Sequence, residues 1–305
     1  MSVQPGGGFC YEIELAWGRL RRWYLKRFRS AYVARMAALR EGDVTGAPHE
    51  ILDPRDLKYC STQCTAHWRP EHDPFRWREK LLLARWGLAE LQIMGWPLVA
   101  LALYLMGQGG LWRFTAIVPA ALLLLLVYFF RDPPRRVPTA PGSIVSPADG
   151  TVVEISQIDD EFVGGPAVRI GIFLSIFNVH VNRAPLPARV VELKYRPGEF
   201  ISATRPESAM RNESMWIGLE ECDPPQRRFA VRQISGMLAR RIVCNLKPQQ
   251  AVARGEKFGM IKLGSRTELI LPAAHVRLNV KVGDRVRGGC QIIAHWTTHP
   301  APVRS

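Results

Sequence analysis

Cysteine is scarce in this 305-residue chain, and we expect no secretory leader. The six cysteines show no spacing typical of a disulfide framework, and they stand at positions 10, 60, 64, 222, 244 and 290. The stretch from Met1 to Gly8 is polar and glycine-rich, without the apolar run of a cleavable signal peptide. Both absences favour reduced thiols on the cytoplasmic side.

Acidic residues are also in short supply, with 27 Asp and Glu against 41 Lys and Arg and a net charge of +14. This balance predicts an anionic partner, either nucleic acid or an anionic lipid surface. No recognised nucleic-acid motif accompanies the charge, so we expect no nucleic-acid partner.

No acidic residue occurs between Leu15 and Arg40, a stretch rich in arginine. Apolar residues recur there every three or four positions, as on one face of a helix, at Trp17, Leu20, Tyr24, Phe28, Tyr32, Met36 and Leu39. The pattern predicts an amphipathic helix within a basic N-terminal extension, residues 1–87. The helix either lies on an anionic membrane or packs against the rest of the protein with its basic face in solvent.

The same extension lacks a recognisable metal motif. Cys60 and Cys64 precede His67 and His72, but their spacing does not fit the common zinc-finger patterns and no second cysteine pair follows. We interpret the four as ordinary residues of a charged, proline-rich stretch and predict no metal site.

Charge is missing altogether from two apolar runs, Leu91–Met106 and Phe114–Phe130. Each approaches the length needed to span a bilayer, and together they predict a membrane helical hairpin over residues 88–130. The alternative is a buried hairpin in a soluble domain. Basic residues flank the pair while the connecting loop carries only Arg113, so the positive-inside bias places both ends and the remaining chain on the cytoplasmic side of the cell membrane.

A proline-rich segment, residues 131–138, follows the apolar part and is predicted to be a linker. From residue 139 to 305, short alternating apolar segments bounded by Gly, Pro and Asp are typical of a compact, mostly antiparallel β domain. Ser146–Val152 and Val282–Gly289 are similar to the turn-strand elements of lipoyl and biotinyl carrier domains, although no lysine stands at a hairpin tip. The predicted fold class is α+β, mostly β: a barrel-sandwich-like catalytic domain preceded by a transmembrane hairpin.

Three polar residues of this domain supply an acid, a base and a hydroxyl, namely Asp149, His180 and Ser265. Taken singly, they have ordinary interpretations as a turn aspartate, a structural histidine and a turn serine. Together they are the set that makes a nucleophile from serine. The chain reads Leu-Gly-Ser-Arg-Thr around Ser265 and so lacks the Gly-x-Ser-x-Gly elbow of many hydrolases. A membrane serine hydrolase and a membrane-tethered, carrier-like binding module are the alternatives.

Six motifs occur in order along the last two-thirds of the chain: Phe130–Pro133, Ser146–Gly150, Asn178–Arg183, Val231–Gly236, Arg240–Cys244 and Phe258–Pro272. In this combination they resemble the phosphatidylserine decarboxylase family, in its short bacterial branch with a Gly-Ser-Arg cleavage motif. The combination is far more specific than any one motif.

The resemblance implies that the chain cuts itself between Gly264 and Ser265 and converts Ser265 into a pyruvoyl group, so that no separate cofactor is required. It implies His180 as the base that removes the Ser265 proton and Asp149 as the group that holds the imidazole. The products would be a membrane-attached β chain, residues 1–264, and an α chain, residues 265–305.

The same resemblance implies the reaction and its partners. The pyruvoyl group would bind the amine of phosphatidylserine as a Schiff base, and loss of carbon dioxide would lead to phosphatidylethanolamine. Phosphatidylserine and an anionic membrane are the implied partners. Exposed strand edges in a β domain add the expectation of a homo-oligomer.

This chain departs from the family pattern in two places. Some branches carry a second histidine three residues after the first, where this chain has Arg183. We therefore expect His180 to serve alone or Arg183 to hold the carboxylate or phosphate of the substrate, the ordinary alternative for Arg183 being a surface salt bridge. Asn212-Glu213-Ser214 stands where relatives tend to have Asn-Glu-Arg, so no substrate role is predicted for that loop. The stretch Met1–Gly87 lies outside the resemblance.

Overall fold

The computed structural model describes residues 9–58, 60–61, 63–202, 207–237, 242–262 and 264–297. Its helices are α1 (Phe9–Phe28), α2 (Ser30–Ala38), α3 (Leu88–Gln108), α4 (Trp112–Thr115), α5 (Ile117–Phe129) and α6 (Ser208–Arg211). Its strands are β1 (Ser143–Val145), β2 (Gly150–Asp160), β3 (Gly165–Leu174), β4 (Val181–Arg183), β5 (Ala188–Arg196), β6 (Ser214–Glu221), β7 (Arg228–Ile234), β8 (Ile242–Cys244), β9 (Ala251–Val252), β10 (Lys257–Ile261), β11 (Ser265–Pro272), β12 (Val276–Leu278), β13 (Arg285–Val286) and β14 (Ile292–Trp296).

The basic N-terminal stretch forms two helices rather than the single predicted one. The chain leaves the helical conformation at Arg29, where φ is −135° and ψ is 41°. Arg21 pairs with Asp53 and Asp56, and Arg22 pairs with Asp56 at 3.3 Å, so the extension neutralises part of its own basic face. A small apolar core beneath the helices comprises Met36, Ile51, Cys60 and Trp68. These contacts favour the predicted alternative in which the basic helix packs against other parts of the protein.

The two apolar runs form α3 and α5, which pack against each other. By length and composition, the helical segments Arg85–Gln108 and Trp112–Phe129 are each able to cross a membrane. Only 11% and 17% of their most apolar windows are buried within the chain. A hairpin in the core of a soluble domain would bury most of this surface, so the exposed apolar faces favour the membrane interpretation.

Eight antiparallel strands form the main sheet, in the order β13-β2-β3-β11-β7-β6-β5-β9, and the sheet curls into a half-barrel. Two three-stranded sheets, β1-β14-β12 and β4-β10-β8, contribute side chains to the same apolar core. The prediction of a mostly β, antiparallel domain is confirmed. β13 pairs with β2, so the two segments compared with carrier hairpins lie side by side, while the likeness to lipoyl domains itself stays a prediction.

Successive residues of a strand point to opposite sides of a sheet. The inner face of the main sheet lies on the main apolar core, and the outer face carries charged side chains and a small apolar cluster of Ala167, Ala230 and Ile270. On β11, Leu269 belongs to the inner core, whereas Arg266 and Glu268 pair with each other at 2.8 Å on the opposite side. The same alternation places Ser265 and Thr267 on the inner face. Ser265 therefore faces the interior at the end of the half-barrel where β11 begins.

The segment 131–138 that was predicted to be a linker is tied to the β domain by a buried carboxylate. Asp132 accepts a hydrogen bond from Arg183 (Nη2 to Oδ1, 2.7 Å) and also pairs with Lys257. Its side chain is only 3% exposed. The segment that follows α5 is therefore fixed to the β domain by a buried contact beside β4.

Candidate active site

The predicted cleavage step lies between the end of β10 and the first residue of β11. Gly264 has a φ of +63°, which glycine adopts without strain, and no atom lies within 4 Å of the position that a Cβ would occupy. Ser265 is fully buried, and its Oγ has no hydrogen-bond partner among the described residues. Leu263 lies outside the described residues. A buried hydroxyl without a partner is costly in a structural role and is therefore a candidate for chemistry.

His180 lies in the turn between β3 and β4 and points toward this step. Its Nδ1 lies 2.9 Å from the carbonyl oxygen of Asn178, and the backbone N–H of Gly264 donates a long hydrogen bond to its Nε2 at 3.4 Å. We infer from these partners that Nδ1 carries the proton and that the Nε2 lone pair faces Gly264. The Asn178 side chain in turn accepts hydrogen bonds from the backbone and hydroxyl of Ser175, which holds the turn.

The environment of His180 favours the neutral imidazole. Burial, with a smaller contribution from the charge of Arg131, lowers the pKa of His180 from 6.5 to about 4. The ring also contacts Phe129 at the end of α5, with ring centroids 4.5 Å apart. At neutral pH the side chain is therefore equipped to accept a proton.

Asp149 does not hold the imidazole in this structure. One carboxylate oxygen accepts a hydrogen bond from Arg135 at 2.7 Å, and the other accepts one from the backbone N–H of Gly288, also at 2.7 Å. The contact expected between Asp149 and His180 is replaced by the bond from His180 to the Asn178 carbonyl, which lies two residues back in the same turn. A catalytic role for Asp149 stays a prediction.

Arg183 is buried. The alternative of a salt bridge at the surface had placed its side chain in solvent. Its side chain is 7% exposed and is engaged by Asp132 and by the carbonyl oxygen of Gly255, at 2.7 Å and 3.1 Å. Because both partners belong to the protein, the guanidinium group is already satisfied without a substrate anion.

A layer of hydrogen-bonded polar side chains lies directly below Ser265 on the inner face. Asn182 donates to Thr267 at 3.0 Å, and Gln233 donates to Asn182 at 2.8 Å. Apolar residues fill the face below this layer. The interior thus changes from apolar to polar toward the end where Ser265 lies, which confines reactive groups to that end.

Sequence reasoning missed two residues at this end of the half-barrel. Ser214 is opposite Ile234, and Arg266 is opposite Ile234 on its other side, so the register continues to align Glu213, Ser235 and Ser265 across three strands. We call these three residues the rim row. The side-chain atoms Glu213 Oε1 and Ser235 Oγ are buried and, like Ser265 Oγ, have no partner in the described part of the chain. The sequence contained a signal for Glu213, because this residue lies in a segment that departs from the family pattern. It gave no indication that Ser235 and Ser265 would be its neighbours.

One further contact locates the site. Lys262, two residues before Gly264, forms an ion pair with Glu90 near the start of α3, and both side chains are less than a tenth exposed. The cleavage step is therefore joined to α3 on its upstream side. Arg240 and Arg241, in one of the family motifs, lie outside the described residues.

Two of the four cysteine and histidine residues considered in the N-terminal extension, Cys60 and His67, have other partners. Cys60 donates a hydrogen bond to the carbonyl oxygen of Asp56 at 3.1 Å, and His67 lies 3.3 Å from the Glu41 carboxylate. Within the described ranges, no group of three or more metal-ligating side chains is arranged to hold a metal ion.

A sequence model of the phosphatidylserine decarboxylase family matches residues 122–294 of the chain. A phosphatidylserine decarboxylase proenzyme of Rhodopirellula baltica is 46% identical over 241 residues, which are 79% of this chain and 99% of that protein. Proteins with the same name from Chlorobium chlorochromatii and Nitrosomonas eutropha are 47% and 36% identical over 57% and 66% of the chain, and over 80% and 93% of their own lengths. The family-model match spans strands β1 to β13 and includes the residues assembled around Ser265.

Proposed function

Because the chain belongs to the phosphatidylserine decarboxylase family, we propose that it cuts itself between Gly264 and Ser265 and then decarboxylates phosphatidylserine to phosphatidylethanolamine. The observation that carries the proposal is the buried, unpartnered hydroxyl of Ser265 beside a neutral His180 whose Nε2 faces the cleavage step. The carrier-like module and the serine hydrolase give no account of the family match.

Self-cleavage begins with proton removal from Ser265 by His180 Nε2. The serine Oγ attacks the carbonyl carbon of Gly264, the new C–O bond forms, and the C–N peptide bond breaks, which leaves an ester and a free amine. Loss of the Ser265 Cα proton and cleavage of the Cβ–O bond then release residues 1–264 as a carboxylate. Hydrolysis of the remaining unsaturated residue yields ammonia and the pyruvoyl group.

The surroundings of Ser265 fit a pyruvoyl group. The group supplies an electron-accepting carbonyl that takes the amine of the substrate and the electrons released on loss of carbon dioxide. Strands β3 and β7 flank β11 on both sides, which would hold residue 265 in a fixed position after the chain is cut. The open space beside Gly264 leaves room for the new carboxyl end to move away.

A phospholipid substrate is supported by the position of the site next to the membrane helices. An apolar groove of about 1040 Å³ runs along α5, and it is lined by Leu81, Leu82, Leu83, Leu124, Leu125, Val127, Tyr128, Arg131 and Phe177. Arg131 donates to the carbonyl oxygen of Phe177 at 2.8 Å and lowers the pKa of His180, so one end of the groove adjoins the site. We infer that acyl chains lie in this groove and that the β domain is on the cytoplasmic face of the cell membrane.

The test is an intact-mass measurement of the purified chain beside its Ser265→Ala variant, followed by a vesicle assay with phosphatidylserine. We expect the wild-type chain to yield a 41-residue fragment (305 − 264) with a pyruvoyl-blocked end, and the variant to stay uncut. Ser143→Ala is the matched control and is expected to be cut normally. It removes a buried hydroxyl at the start of β1 that donates a hydrogen bond to the carbonyl oxygen of Ala140. A wild-type chain that stays uncut in lipid would contradict the proposal.

A further inference from the structure

The rim row aligns three polar side chains at one end of the half-barrel, and each has one buried oxygen atom without a hydrogen-bond partner among the described residues. Ser235 donates its backbone N–H to the carbonyl oxygen of Glu213 at 2.9 Å, which confirms the alignment of these two positions. Side chains directly opposite each other in an antiparallel sheet lie on the same face, so all three point inward. Adjacent strands are about 4.8 Å apart, which sets Glu213 about 10 Å from Ser265 across Ser235. Glu213 and Ser265 therefore face the same interior, with Ser235 between them.

Glu213 is held rigidly in this row. Its backbone N–H donates to Glu199 at 3.1 Å, its carbonyl accepts from Ser235, and its side chain hydrogen-bonds the Tyr195 hydroxyl from β5. The residue is 2% exposed and forms no ion pair with any described residue. A carboxyl group buried in this way has no evident structural partner beyond Tyr195, although burying it is costly.

We propose that Glu213 delivers a proton to the substrate carbon from which carbon dioxide leaves. This inference rests on the proposed decarboxylase function and adds a residue to it.

The step balances with one proton. When the carboxylate of the substrate departs as carbon dioxide, the electron pair of the broken C–C bond stays with the remaining carbon skeleton. The carbon then forms a C–H bond with the proton of the Glu213 carboxyl, which becomes a carboxylate. Solvent returns a proton to Glu213 before the next turnover, so the whole reaction consumes one proton and releases one carbon dioxide.

The environments of the two titratable groups separate their roles. Burial raises the pKa of Glu213 from 4.5 to about 7, opposed only by the hydrogen bond from Tyr195 among the described residues, whereas burial lowers that of His180 to about 4. Near neutral pH, Glu213 therefore retains a proton to donate and His180 does not. Such a divergence is how active sites separate an acid from a base.

The experiment compares the wild-type chain with Glu213→Gln, Glu213→Asp and the control Glu199→Gln. Glutamine keeps the shape and still accepts from Tyr195, but it has no acidic proton. We expect Glu213→Gln to be cut normally, to keep its KM, and to lose about 100-fold or more in kcat. Glu213→Asp should recover part of kcat. Glu199, an exposed carboxylate paired with Arg211, should tolerate its substitution.

The pH profile supplies a second readout. Because the protonated carboxyl is required, wild-type kcat should fall as pH rises through about 7, and this limb should vanish in the residual activity of Glu213→Gln. A third readout needs no pyruvoyl group: the uncut Ser265→Ala chain at neutral pH should show the infrared band of a protonated carboxyl, which Ser265→Ala/Glu213→Gln should lack.

Each outcome supports or overturns either the proposed function or the role of Glu213. If the wild-type chain makes no phosphatidylethanolamine, the proposed function fails. If the wild-type chain is active and Glu213→Gln matches it in kcat and pH profile, the assignment of Glu213 is wrong while the function stands. If Glu213→Gln is not cut, the role of Glu213 is tested by the activity of Glu213→Asp and by the infrared band of the protonated carboxyl. Absence of that band overturns the assignment of Glu213 as the proton donor.

Discussion

Burial of Glu213 should make the stability of the folded chain depend on pH. A pKa raised from 4.5 to about 7 corresponds to about 3 kcal/mol between the folded and unfolded states. Below pH 4.5 both states keep the proton and folding is not penalised. As pH rises toward 7 the unfolded state ionises first, so the free energy of unfolding decreases until the folded state also ionises. No discount for solvent screening is needed, because Glu213 is 2% exposed.

The measurement uses the uncut Ser265→Ala chain with and without Glu213→Gln, unfolded by urea in detergent at pH 5 and pH 8. Titration of His180 is common to both chains and cancels in the difference. We expect the glutamine chain to gain about 2 to 3 kcal/mol in relative stability between the two pH values. The exposed Glu199→Gln substitution on the same background should show no such gain. Two curves that stay parallel from pH 5 to pH 8 would refute the burial argument for Glu213.

Two further substitutions test other parts of the site. His180→Gln should slow self-cleavage by about 100-fold or more, because the base is lost, and a time course of intact mass measures the rate. His275→Gln, in a turn away from the site, is the control. Equal cleavage rates in the two variants would remove His180 from the mechanism. Asp132→Asn leaves the Arg183 guanidinium buried without its carboxylate partner and should lower the free energy of unfolding by about 3 kcal/mol or more, measured by urea unfolding. An unchanged unfolding midpoint would show that the ion pair between Asp132 and Arg183 does not stabilise the fold.

The elements of the fold were largely predictable from local pattern. The uncharged runs anticipated α3 and α5 because a helix without a polar face has few other environments. The alternating segments after residue 139 anticipated an antiparallel β domain, since alternation matches the two-residue period of a strand. The break at Arg29 and the burial of Asp132 were not predictable, because neither residue type nor spacing announces them.

The sequence predicted which residue types of the candidate site react, but it did not predict which side chains contact one another. The Gly264-Ser265 step and His180 were identified from motifs, and the structure brings His180 to within 3.4 Å of the Gly264 amide. Asp149 was identified by the same reasoning, yet its carboxylate is taken by Arg135 and Gly288. Which hydrogen-bond acceptor orients a histidine depends on the path of a turn, and that path is set by contacts that the motif does not contain.

The sequence by itself determined the reacting atoms, the helical and strand periods and the family, because these depend on residue identity and on local order. Only the tertiary structure decided which groups are neighbours and which are charged. Positions 213, 235 and 265 lie far apart in the chain and align because strand register joins them. Burial then separates the pKa values of Glu213 and His180, since the cost of a charge depends on the three-dimensional surroundings of its atoms rather than on the residue type.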